Sequence, residues 1–267
     1  MKKKILAFWL AALLCLTACH RTEEEQREPV PDPGPDQQEE QGLSVESVSE
    51  SGQQAGEDGS PLLTWSVVLP QVLYNGQPMN NIGNYYDSQM ERQTLHVQEE
   101  LLPLAQERQQ AAQADGKLFT TYTLETDFQV MHQQGDYLSV LRQTVEFTGG
   151  VHESTGLAGE NWLFREGDCY LLTLQDVLPG AADPRSLVLE QAMAQADARW
   201  EEQPDLYFEN YRQMMADRWQ ESDFYLTEDS LVLFFQEYAI GPYTSGPQTF
   251  SIPLDALGDA LAEGLQP

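Results

Sequence analysis

The chain has 267 residues, 14 of them Lys or Arg and 43 Asp or Glu, for a formal charge of −29. Such a field repels nucleic acid and anionic lipid and speeds the encounter of cationic partners, although solubility alone is an equally good use of it. Three cysteines are too few for a disulfide-built scaffold, and no internal repeat is present.

Residues 1–18 read as an export signal: Lys2, Lys3 and Lys4 precede an apolar run at 5–16 that is too short for a permanent helix of about 20 residues. Leu16-Thr17-Ala18-Cys19 resembles a bacterial lipobox, in which the cysteine thiol takes the lipid and becomes the mature N-terminus. The alternative is an ordinary signal peptide with a chance cysteine. The expectation is a lipoprotein on the outer face of a membrane, anchored through Cys19 only. Residues 19–60 follow as a disordered acidic tether, because the stretch has no aromatic residue and is rich in Glu, Gln, Pro, Gly and Ser.

The folded part is expected from Pro61 on, as an N-terminal half at 61–146 and a C-terminal half at 147–267. Alternation at Trp65, Val67 and Leu69 predicts a strand over 62–74 that ends at an Asn75-Gly76 turn. Helical spacing over 82–114 predicts one long helix, interrupted near Pro103. Strands are expected at 119–131, 137–147, 160–164 and 169–174, joined by hairpins at Gly135, at "TGGVHESTG" (148–156) and at Gly167. A helical pair over 184–220, broken at Pro204, precedes strands at 224–226, 231–238 and 249–252 and a closing helix over 254–265. The order gives an α+β fold with a mostly antiparallel sheet, a long N-terminal helix, a central helical pair and a short C-terminal helix.

Candidate chemistry is sparse. There is no zinc-type ligand spacing, phosphate loop, dinucleotide fingerprint or nucleophile elbow. No metal or cofactor is therefore expected. Cys169 lies in a strand-like run and reads as a small buried hydrophobe. His96 and His132 read as surface residues. His152, beside Glu153, is the one histidine in a suggestive setting, but Ser154 and Thr155 are too close along the chain to be a nucleophile held on a separate support. Gly149 and Gly150 supply turn geometry, with His152 packing beside them, so a structural or binding role outweighs catalysis. An uncharacterised hydrolase using His152 is the third-ranked reading.

Three motifs in order resemble a known family. They are Gly149-Gly150-Val151-His152, then Glu166-Gly167-Asp168 with Leu172-Thr173-Leu174-Gln175-Asp176, then Tyr238, Ile240, Pro242, Tyr243 and Gly246. The order is similar to the extracytoplasmic lysozyme-binding domain of the sigma-V type anti-sigma factor, also found as the accessory domain ahead of some peptidoglycan deacetylases. The resemblance covers about 147–257 well and 61–146 loosely. It implies a non-catalytic recognition domain that binds a cationic protein such as lysozyme, as decoy, inhibitor or sensor, with Tyr238, Pro242, Tyr243, Thr244 and His152 as partner-binding residues. A carbohydrate- or peptidoglycan-binding module is the alternative. Pro242 and Gly246 stiffen the loop that displays Tyr243. Gly241 stands where alanine is usual, a departure expected to loosen that loop. Neither the sigma-binding segment nor a deacetylase domain is expected in this chain.

Overall fold

A computed structural model describes residues 42–56 and 58–266. The expected signal segment, Cys19 and the first part of the tether lie outside the described residues. The later part of the tether is corrected: β1 (Leu43–Ala55) is a 13-residue strand, antiparallel to β2 (Pro61–Tyr74), with Leu43 opposite Tyr74 and Gln54 opposite Leu63. Most of its side chains are exposed. An edge strand is held by its backbone ladder, so a polar composition that rules out a core does not rule out a strand.

Asn75 and Gly76, both with positive φ, turn β2 back into the two-residue β3 (Gln77–Pro78). The predicted long helix is present without a break. It runs as α1 (Asn80–Leu95), a wider π-type turn at His96–Leu101, and α2 (Leu102–Ala114). The Leu102 N–H donates to the Val97 carbonyl, five residues back. The irregularity thus falls one turn before Pro103, where the ladder adjusts to a residue that has no N–H. The helix carries the chain over the sheet, and β4 (Tyr122–Gln134) then pairs in parallel with β2. β5 (Tyr137–Phe147), β6 (Ser154–Arg165) and β7 (Asp168–Leu171) complete the sheet antiparallel, in the order β1-β2-β4-β5-β6-β7.

The 169–174 segment ends early as a strand because Thr173 and Asp176 close a capping box that starts α3 (Leu174–Val177). The helical pair is α4 (Pro184–Glu202) and α5 (Tyr211–Arg218). β8 (Phe224–Leu226), β9 (Ser230–Phe235) and β10 (Gln248–Pro253) form a second antiparallel sheet. The closing helix shrinks to one turn, α6 (Leu254–Leu257); Gly258 at φ 49° ends it, and 3₁₀ turns follow.

The layers follow from which faces are apolar. Ile82, Tyr86, Val97 and Leu101 of the long helix pack on Leu63, Val67, Leu124, Leu138, Val140 and Trp162 of the first sheet. On that sheet's other side, Leu141, Leu157 and Met131 meet Tyr225, Val232 and Phe234 of the second. The other apolar β9 residues, Leu231, Leu233 and Phe235, join Val188, Ala192, Ala196 and Met215 of α4 and α5. β9 is buried on both faces, which is why it reads as an unbroken apolar run. The expected boundary between residues 146 and 147 falls inside the first sheet, where β5 and β6 are paired.

Two buried polar contacts join layers. Arg142 reaches Glu160 at 3.0 Å beneath α1, and the Tyr85 hydroxyl donates to the same carboxylate at 3.1 Å. Ser139 donates to Asn161 at 2.7 Å while accepting the Leu226 N–H at 2.9 Å, which pins the two sheets together. His132 is buried, not on the surface, and burial depresses its pKa. His96 bridges the helix to β5 through Glu146 at 2.6 Å. Cys169 is buried as expected, and its thiol is pushed up to about 12 by burial and by Asp168.

Candidate functional site

Two loops meet at one end of the first sheet. The first, residues 148–153, leaves β5 and returns as β6. The second, residues 236–246, leaves β9. Sequence places them some ninety residues apart, and the structure brings His152, Tyr238 and Tyr243 together. The His152 ring stacks on Tyr243 with centroids 4.1 Å apart and planes 17° from parallel, and Tyr238 lies 5.9 Å from Tyr243. His152 and Thr244 are exposed, Tyr243 and Pro242 half-buried, and Tyr238 is 54% exposed. Val151, His152, Glu153, Glu237, Tyr238 and Tyr243 line a concavity of about 430 Å³, which Pro242 and Thr244 do not.

The first loop is fixed by its glycine. Gly149 has φ 77°, and a Cβ there would lie 3.1 Å from the Tyr122 ring, so the turn sits directly on that side chain. Gly150, expected to share this role, has no positive φ. In the second loop Pro242 has φ −66° and leads into a 3₁₀ turn at Tyr243–Ser245. Gly246 follows at φ 62°, ψ −170°, a region closed to other residues. Gly241 tightens the loop, where the sequence reading expected it to loosen it. A Cβ there would lie 2.4 Å from the Leu206 carbonyl oxygen, which also accepts from the Ser245 hydroxyl at 2.7 Å.

Three residues that the sequence reading missed hold the patch in place. The Gln236 side chain imitates a strand residue, accepting the Leu157 N–H at 2.9 Å and donating to the Leu157 carbonyl at 2.8 Å. Glu237 accepts the Thr155 N–H at 3.1 Å. Arg218 donates to the Tyr238 carbonyl at 2.8 Å, which helps keep Tyr238 at φ 59°, an uncommon conformation for an aromatic residue. Val151, at the tip of the first loop, is 90% exposed. No local pattern marks Gln236, Glu237 or Arg218, because each acts on a distant segment.

Burial raises the Tyr243 pKa, and the carboxylates of Glu237 and Glu153 add to the effect. The patch is therefore an aromatic platform with acidic neighbours. Rings with carboxylates at their edge suit a guanidinium or ammonium group, which gains from both the ring face and the charge. Ser154 and Thr155, the hydroxyl residues that follow His152, line the same concavity and begin β6. Among the described residues, no group of three or more His, Cys, Asp or Glu side chains could hold a metal, and no helix is long and apolar enough to cross a membrane.

Comparison with known proteins adds the following. Residues 163–255 match a family described as "Protein of unknown function (DUF3298)". No curated protein matches the chain. Two crystal structures share the fold. A member of the DUF3298 family from Bacteroides fragilis superposes with TM-score 0.58 at 16% identity, covering 83% of this chain and 94% of that one. A DUF3298 family protein from Pseudomonas aeruginosa PAO1 gives TM-score 0.54 at 19% identity, covering 84% of this chain and 97% of that one. At such identities the likeness speaks to the α+β fold alone.

Proposed function

We propose that this chain is a non-catalytic recognition module whose Tyr238–Tyr243–His152 patch binds a cationic protein, with lysozyme as the specific candidate. The observation that carries the reading is the stack of His152 on Tyr243 beside Glu153 and Glu237. Rigid aromatic rings offer contact area at small entropic cost, and the tethering of both loops to β6 means that little ordering remains for binding to offset. The excess of acid over base, 43 residues against 14, adds long-range attraction and speeds association. Lipid on Cys19 would present the domain on the outer face of the membrane, where such a partner is met. Incorporation of a fatty-acid analogue into the wild type but not Cys19→Ala tests that part.

Calorimetry with hen-type lysozyme at low and moderate salt tests the binding. The expected result is an affinity that falls with salt and drops by on the order of 2 kcal/mol in Tyr243→Ala. Undetectable binding at low salt rejects lysozyme as partner. Exposed tyrosine rings also stack on sugars, so a parallel pull-down with cell-wall fragments discriminates the second reading, a peptidoglycan-binding module. Capture by fragments and not by lysozyme would favour it.

A further inference from the structure

The three most exposed large apolar side chains among the described residues are Leu118 at 97%, Val151 at 90% and Tyr238 at 54%; the next is Leu171 at 49%. All three sit at the same end of the molecule. β4 begins beside the end of β5, with Thr123 opposite Phe147, so the segment that enters β4 lies against the loop that leaves β5. Leu118, Phe119 and Tyr122 accordingly share a second concavity, of about 370 Å³, with Thr148, Gly149 and Gly150. The 148–153 loop is the ridge between this hollow and the aromatic patch, and Val151 stands on it.

A leucine and a valine this exposed contribute almost nothing to the stability of the chain that carries them, so folding does not account for their identity. Single exposed apolar residues are ordinary; the most exposed ones gathered around one ridge mark a contact surface. The ridge is built to be firm. Gly149 rests on Tyr122, and Phe119 packs on Tyr122 with ring centroids 5.5 Å apart.

We propose that the Leu118–Phe119 hollow and Val151 are the apolar half of a two-part interface whose acidic, aromatic half is the Tyr243 patch, and that both engage one folded basic protein. The inference rests on the binding reading above and extends it to residues 118–122. Charge selects the occupant: a second copy of this chain and an anionic lipid surface both carry the same sign as the domain, whereas a basic protein is attracted. Arg108 also lines the hollow and no carboxylate does, so this half adds nothing to the long-range attraction and acts after encounter, on the lifetime of the complex.

The test is surface-binding kinetics with hen-type lysozyme, comparing wild type with the Leu118→Ser, Val151→Ser double variant and with Val48→Ser as control. Val48 is 43% exposed on β1. All three positions are at the surface, so the urea midpoint should stay put. The expected result is dissociation about tenfold faster in the double variant, an unchanged association rate, and no effect of Val48→Ser. If lysozyme binds the wild type and the double variant alike, this inference is wrong while the binding reading survives. If the wild type does not bind at all, both fall together.

Discussion

Glycine to alanine at positions 241 and 83 should have opposite signs. At Gly241 the new methyl would lie 2.4 Å from the Leu206 carbonyl oxygen, about 1 Å inside a normal carbon–oxygen contact. That oxygen is backbone and accepts the Ser245 hydroxyl at 2.7 Å, so moving it weakens a bond that closes the Tyr243 loop. Overpacking of this kind costs about 1–3 kcal/mol and the weakened hydrogen bond about 1 kcal/mol, against a gain of about 0.4–1 kcal/mol from a stiffer unfolded chain. The net expectation is a loss of about 1–3 kcal/mol. At Gly83, inside α1, a Cβ meets nothing within 4 Å, and alanine should stabilise by about 0.5–1 kcal/mol through helix propensity. Urea unfolding of the two variants measures both. A Gly241→Ala protein as stable as wild type would refute the close approach and return that loop to the looseness its sequence suggested.

Glu160→Gln should cost about 3–5 kcal/mol in urea, because it leaves Arg142 without its buried counter-charge; adding Arg142→Met should recover part of the loss, and strict additivity would contradict the pairing. Thr173→Ala should cost about 1 kcal/mol near neutral pH. The Thr173 hydroxyl and backbone N–H hold the Asp176 pKa below its ordinary value. Stability from this pair is thus present above the unfolded carboxylate pKa and lost as pH falls through the folded one, so the gap between wild type and variant should narrow in acid to the part held by the Asp176 N–H on the Thr173 hydroxyl; a gap that stays constant into acid would contradict it. Limited proteolysis should leave residues 43–55 attached to the core, since β1 is paired along its length with β2; a stable core that begins near Pro61 would show β1 to be dispensable.

Those outcomes also mark where the sequence was readable. Elements whose pattern is local came through: Tyr137–Phe147 and Phe224–Leu226 have the bounds their alternation and turns predict, and the helical stripe over 82–114 is one continuous rod. β1 was missed because the test applied to residues 19–60 was apolar content, and an edge strand is stabilised by backbone pairing instead. The capping box at Thr173–Asp176 was written in the sequence but masked by the apolar run before it. At the site, the motifs pointed to the two loops that meet there. What sequence could not supply was the distant support: Gln236 on Leu157, Glu237 on Thr155, and Leu118 beside Gly150. Each brings together residues far apart in the chain with no shared local pattern.

The central claim is that one end of the molecule is the recognition surface, and amide hydrogen exchange with and without hen-type lysozyme tests it most directly. The account predicts protection confined to residues 118–122, 148–155 and 236–246, with no change in the hairpin turns around Gly76, Gly135 and Gly167. Protection centred on those turns, or none anywhere at saturating lysozyme in low salt, would contradict it.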